Sequence, residues 1–107
     1  EADMVPSSIY DEVDVGIGGR IAEIVGSKLK AIGSHKQVLC ITHLPQVAVQ
    51  GTDHLQITKQ GGKDVRIRVQ DLNPSQRLEE ISRMVGGIEI TRETRAHAAD
   101  MLKRAGN

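Results

Sequence analysis

Ser7-Ser8-Ile9-Tyr10-Asp11-Glu12-Val13-Asp14-Val15-Gly16-Ile17-Gly18-Gly19 is the stretch on which the reading of the fold turns. A short run, Ser8-Ile9-Tyr10, ends in two adjacent carboxylates, Asp11 and Glu12. A further acid, Asp14, follows, and then the glycines Gly16, Gly18 and Gly19. A strand that delivers acids at its carboxyl end, followed by a glycine-rich turn into a helix, is a site-building arrangement in open α/β sheets. Metal-assisted phosphoryl transfer uses such a pair: one carboxylate holds the magnesium shell, and its neighbour orients or deprotonates the attacking water. An isolated Asp-Glu pair is most often solvated surface. Here apolar residues lead into the acids, and glycines follow where a loop must turn tightly. The run fails the dinucleotide-binding fingerprint, because Ile21 stands where its last glycine belongs and Asp14 would repel a pyrophosphate.

Outward from this stretch, Gly19 to Ile32 carries apolar residues at helical spacing, Ile21, Ile24, Val25, Leu29 and Ile32, with Gly33 as a stop. Lys36 to Thr42 reads as a second strand, and its continuous apolar run, Val38-Leu39-Cys40-Ile41, suits a strand covered on both faces. Strand, helix, strand in this span predicts a βαβ unit with parallel strands. Parallel neighbours place their carboxyl ends on one edge, about 4.8 Å apart. The acids at Asp11 and Glu12 would then meet His43, just after the second strand, at a common rim. A lone histidine after a strand is more often a cap or surface residue; its place beside the acids raises the functional reading.

Further along, Leu44 to Gln50 reads as one or two helical turns with Pro45 at the start. Asp53 to Gln60 reads as a strand with Leu55 and Ile57 on one face. Gly61-Gly62 signals a two-residue hairpin turn. Val65, Ile67 and Val69 then alternate with Arg66, Arg68 and Gln70, a strand with one wet face. Asn73-Pro74-Ser75 opens a helix with Leu78, Ile81, Met84 and Val85 inward, closed by Gly86-Gly87. Thr91 caps a last helix with Glu93 in its first turn and the stripe Ala98, Met101, Leu102 and Ala105. Glu1 to Val5 reads as the end of a preceding helix, stopped before Pro6.

The chain has 107 residues, enough for one domain with a modest core. Lys plus Arg and Asp plus Glu both number 14, so no bulk basicity points to nucleic acid. One tyrosine and no phenylalanine or tryptophan leave an aliphatic core, and exclude the aromatic platforms that stack single-stranded bases. The lone Cys40 cannot form a disulfide within the chain and reads as a buried structural thiol. His35, His54 and His97 have no metal-ligand spacing with each other or with Cys40. No apolar run reaches membrane-spanning length and no signal-peptide pattern opens the chain, so the expectation is a cytoplasmic protein without a membrane partner.

Three blocks carry a resemblance. Tyr10-Asp11-Glu12-Val13-Asp14-Val15-Gly16-Ile17-Gly18-Gly19 resembles the Walker B and D-loop segment of the RecN family of bacterial DNA-repair ATPases. That family is related to structural-maintenance-of-chromosomes (SMC) proteins and ABC-type ATPases. Thr42-His43-Leu44-Pro45-Gln46-Val47-Ala48 is similar to its switch-histidine loop, and Leu78-Glu79-Glu80-Ile81-Ser82-Arg83-Met84-Val85-Gly86-Gly87 to its C-terminal helix. The likeness covers nearly the whole chain. It implies that residues 1–107 are the C-terminal part of an ABC/SMC-type, P-loop NTPase head: an α/β lobe with a parallel βαβ unit, a β-hairpin and two C-terminal helices.

The resemblance also implies roles. Asp11 would hold Mg2+, Glu12 would position and deprotonate the attacking water, and His43 would contact the γ-phosphate of ATP. Asp14, Gly16 and Gly18 would belong to the D-loop that crosses to a partner in a head-to-head homodimer. The family's work is DNA double-strand-break repair and recombination, which implies DNA as partner and a nucleoid-associated location.

Tyr10 departs from the Phe more usual in the family, and its hydroxyl then needs a polar partner. The Gly-x-x-x-x-Gly-Lys-Ser/Thr phosphate loop does not occur in these residues, and Glu1 is not a natural initiator. Both lead to the expectation of a piece of a longer ATPase that by itself would not hydrolyse ATP. In ABC-type heads the phosphate-loop strand lies between the switch-histidine strand and the strand that follows it. A gap, a partner chain or a repacked pairing is therefore expected between Lys36–Thr42 and Asp53–Gln60. The rival reading is a non-catalytic module that docks protein or DNA through the Gly61 hairpin and its basic residues Lys63, Arg66 and Arg68.

Overall fold

The computed structural model of the chain describes residues 7–11 and 18–107. Its elements are β1 (Ser7–Asp11), α1 (Gly19–Gly33), β2 (Gln37–Ile41), α2 (Pro45–Ala48), β3 (Leu55–Gln60), β4 (Arg66–Asp71), α3 (Pro74–Gly86) and α4 (Arg92–Arg104). The helix end expected over Glu1 to Val5 lies outside the described residues.

β1 and β2 pair in parallel, from Ser7 beside Gln37 to Asp11 beside Ile41, with α1 as the connection. This is the βαβ unit that the periodicity predicts. One face differs from expectation. Val38 and Cys40 are half-buried, while Ile9, Leu39 and Ile41 are exposed on the opposite face. α1 covers one side of the pair only, so β2 is not a strand buried on both faces.

α1 corrects the expected apolar stripe in the same way. Ile21 and Ile24 are exposed, and the buried positions are Ala22 and Gly26. The reason is close approach. A methyl placed at Gly26 would lie 3.1 Å from the Gln46 carbonyl oxygen and 3.2 Å from Val47 Cα, so only the smallest residues let α2 seat against α1. Ranking positions by side-chain hydrophobicity misses a seam made of small residues.

β3 and β4 form an antiparallel hairpin, with Leu55 opposite Asp71, Ile57 opposite Val69 and Lys59 opposite Ile67. The turn is longer than Gly61-Gly62 suggests and runs over residues 61–65, so Val65 lies in the loop. Gly61 has a φ of 99°, and a Cβ there would meet the Asp64 carbonyl oxygen at 2.2 Å, which explains the glycine. β2 and β3 share no sheet: each belongs to its own two-stranded pair. No direct pairing joins β2 to β3 among the described residues.

α3 and α4 carry the core. Asn73 caps α3, its side chain accepting from the Gln76 backbone amide at 2.8 Å while the Gln76 side chain accepts from the Asn73 amide at 2.9 Å. Thr91 and Thr94 make the equivalent box on α4. Such caps contribute about 1 kcal/mol each. Gly87, at φ 72°, ends α3. Ile81 and Ala98 are fully buried and join Val49, Met101 and Ala105, with Leu78, Met84, Val85 and Leu102 packed around them. Burying a side chain of the Ile81 type contributes about 1.5–3 kcal/mol. The Arg95–Glu79 ion pair that spans the two helices is exposed on both sides and adds little. Among the described residues, no helix is long and apolar enough to cross a membrane.

Candidate functional site

Asp11 and His43, two of the residues that the sequence singles out, lie at the carboxyl edge of the parallel pair. Asp11 is the last residue of β1 and lies in register with Ile41, the last residue of β2. His43 follows two positions after Ile41, on the short connection to α2, and its side chain is exposed. Backbone register therefore places Asp11 and His43 on the same rim. Glu12, Asp14 and Gly16 lie outside the described residues. Gly18 is the N-cap of α1, in extended conformation at φ −81° and ψ 171°, with no side-chain cap and open space around it.

The His43 connection is held locally and from beneath. The Leu44 amide donates to Thr42 Oγ1 at 3.0 Å, a side-chain turn that brackets His43. α2 starts at once, with Pro45 in its first turn. Its Gln46 reaches the start of α1: a methyl at Gly19 would stand 2.9 Å from Gln46 Nε2. Gln46 Oε1 is buried without a hydrogen-bond partner among the described residues. Gln46 belongs to the block that resembles the switch-histidine loop, but the resemblance gave it no role of its own.

A second polar cluster lies behind α2. Arg77 of α3 is buried, and its Nη2 donates to the carbonyls of Ala48 at 3.0 Å, Val49 at 3.4 Å and Gly51 at 2.6 Å. Burial holds the Arg77 pKa below its usual value, opposed by the charge of Asp53. His54 sits beside it with Nδ1 buried and unpartnered among the described residues. Burial, then the charge of Arg77, lowers the His54 pKa, while Glu80 opposes the shift. Glu80 is itself held below the ordinary carboxylate range, chiefly by its hydrogen bonds with Arg83 at 2.7 Å. Sequence reasoning passed over Arg77. The available signal was its spacing: Arg77 stands four residues before Ile81, on the apolar side of α3, where an arginine needs buried acceptors.

No protein-family model matches the chain. The chain is 48% identical over 104 residues to the DNA repair protein RecN of Xylella fastidiosa (strain 9a5c), covering 94% of this chain and 18% of that protein. It is 46% identical over 103 residues to RecN of Bacillus subtilis (strain 168), again 94% of this chain and 18% of the relative. With RecN of Vibrio cholerae serotype O1 it shares 46% over 99 residues, 91% of this chain and 18% of the relative. A solved SMC ATPase chain, from a study of ATP-driven dimerization and DNA-stimulated activation, superposes with a TM-score of 0.63 over 77% of this chain and 49% of its own. At 13% sequence identity that likeness concerns the fold. The chain spans less than a fifth of the length of the curated relatives it matches. It shares its fold with part of a solved SMC ATPase chain, and the curated relatives above are bacterial DNA repair proteins named RecN.

Proposed function

We propose that this chain is the Walker B, D-loop and switch-histidine part of an ATP-hydrolysing head, acting in a RecN-like protein in DNA double-strand-break repair and recombination. The observation that carries the reading is the parallel register of β1 and β2, which sets Asp11 and the His43 connection on one rim. Support comes from the homologues named for DNA repair and from the SMC ATPase fold.

Asp11 supplies hard carboxylate oxygens, the donor type that Mg2+ prefers, and Gln46 Oε1, on the side chain that reaches Gly19, is a buried acceptor without a partner among the described residues. These residues fit a magnesium nucleotide. When bound, magnesium supplies charge neutralisation at the phosphates of ATP. Glu12 takes the proton of the attacking water and holds that water in line. His43, exposed at the rim, donates a hydrogen bond to the terminal phosphate. Asp14, Gly16 and Gly18 form the loop that meets a second head, so the working unit is a head-to-head homodimer on DNA.

The test is Glu12→Gln in a RecN-length protein that carries this segment. ATP binding should persist while hydrolysis falls by about 10²–10⁴, the usual contribution of a general base. Unchanged hydrolysis would sink the assignment.

A second reading rests on the exposure of Lys63, Arg66 and Arg68 on the hairpin, a patch able to meet phosphates. Salt-dependent DNA binding that disappears in Arg66→Glu/Arg68→Glu, in a protein whose hydrolysis ignores Glu12→Gln, would favour it.

A further inference from the structure

We propose that Arg77 is a positioning residue for His43, acting through α2; the catalytic consequence rests on the reading of His43 just given. α2 has only four residues, Pro45–Ala48, and an isolated single helical turn does not support itself in water. Its N-cap, Leu44, makes no side-chain cap bond. Beyond its own backbone hydrogen bonds, the turn is held from outside. Arg77 Nη2 gathers the Ala48, Val49 and Gly51 carbonyls at 3.0, 3.4 and 2.6 Å, and Asn107 Nδ2 donates to the Val49 carbonyl at 2.7 Å. The last carbonyls of a helix carry its negative end, so a buried guanidinium there is both a charge partner and a cap.

The opposite side of α2 is also fixed. Gly26 of α1 lies so near that a methyl would stand 3.1 Å from the Gln46 carbonyl oxygen. The turn is thus clasped between α1 and α3. Arg77 cannot shift easily either. It is 8% exposed, one helical turn before the fully buried Ile81, on a helix with a complete capping box. His43 is two residues from Pro45, and Leu44 between them is tied back to Thr42 Oγ1. A displacement of α2 therefore reaches His43 with almost no slack. α2 touches both α1 and α3, so the clasp also registers the βαβ unit against the helical pair.

The experiment has two arms. In the 107-residue chain, amide exchange of Val47, Ala48 and Val49 and the imidazole resonances of His43 are followed by NMR in Arg77→Ala, Arg77→Lys and Asn107→Ala. Ala98→Gly, which weakens the core that Ala98 shares with Val49 but removes none of the clasp's hydrogen bonds, is the control, compared at equal loss of Tm. Arg77→Ala should speed exchange at these amides about 10-fold or more beyond the control and shift His43, a local opening rather than a global one. Arg77→Lys keeps the buried charge without the planar fork; it should fall between, and it carries the test if Arg77→Ala does not fold. Equal exchange in Arg77→Ala and Ala98→Gly would overturn the proposal. In the second arm, a RecN-length protein carrying Arg77→Ala should lose about 10–100-fold in kcat with KM for ATP little changed, and lose nothing more when combined with His43→Ala. Additive losses would overturn the positioning role. Local opening in the first arm, with His43→Ala hydrolysing ATP normally in the second, would support the clasp and overturn the nucleotide reading.

Discussion

Ile57 and Val69 stand directly opposite each other across the hairpin, and both remain more than half exposed, at 61% and 58%. Leu55 and Ile67 lie on the same face and are also exposed. The hairpin turns its polar face, Gln56 and Gln70, toward α3, where these residues line a shallow groove with Glu79, Glu80 and Arg83. A cross-strand pair of β-branched residues favours the strand conformation, but here it removes little surface from water.

Replacing both Ile57 and Val69 by Thr should consequently leave the chain about as stable, within ±0.5 kcal/mol, because β-propensity is kept and little burial is lost. Binding of a hydrophobic dye to the folded chain should fall. Thermal melts and dye fluorescence decide the matter. A large loss of Tm would mean that this face is packed in solution.

Two glycines of α1 should respond with opposite sign. Helix propensity alone says that Gly→Ala inside a helix gains about 1 kcal/mol. At Gly33 the nearest atom to an added methyl is Val38 Cγ2 at 4.0 Å, so Gly33→Ala should stabilise by about 0.4–1 kcal/mol. At Gly26 the methyl meets the α2 backbone, and overpacking costs about 1–3 kcal/mol. Gly26→Ala should therefore lower stability despite its propensity. Urea unfolding of the two variants is the check, and a stabilised Gly26→Ala would show that α2 can move away from α1.

Acid should weaken the fold in two stages. The His54 pKa is lowered in the folded chain by burial and by Arg77. The unfolded chain then binds that proton more readily, so the His54 contribution is whole above about pH 6.5 and is lost as pH falls through the lower folded value. Glu80, lowered chiefly by Arg83, contributes above about pH 4.3 and loses that contribution as pH falls further. Unfolding free energy measured from pH 8 to pH 3 should decline in both ranges, and His54→Gln should flatten the first. A rise in stability between pH 7 and pH 5 would contradict the burial of His54.

Much of this architecture was legible in the chain. The strand ending at Asp11, the helix after Gly19, the strand leading to His43 and the caps at Asn73 and Thr91 each have a local cause: spacing, capping chemistry or a glycine stop. Parallel pairing of β1 and β2 follows from the length of their connection, and with it the common rim of Asp11 and His43. Tertiary structure decided what no local rule could. Ala22 and Gly26, not Ile21 and Ile24, are buried, and at Gly26 α2 approaches too closely for a larger side chain. Ile57 and Val69 stay in water because the hairpin packs its other face toward α3. Arg77 became a clasp because folding brings three carbonyls from residues 48–51 around one guanidinium. Side-chain type and spacing set which conformations are cheap within a few residues. Which face is buried, and which polar group finds a partner, depends on surfaces that meet only when segments distant in the chain pack together.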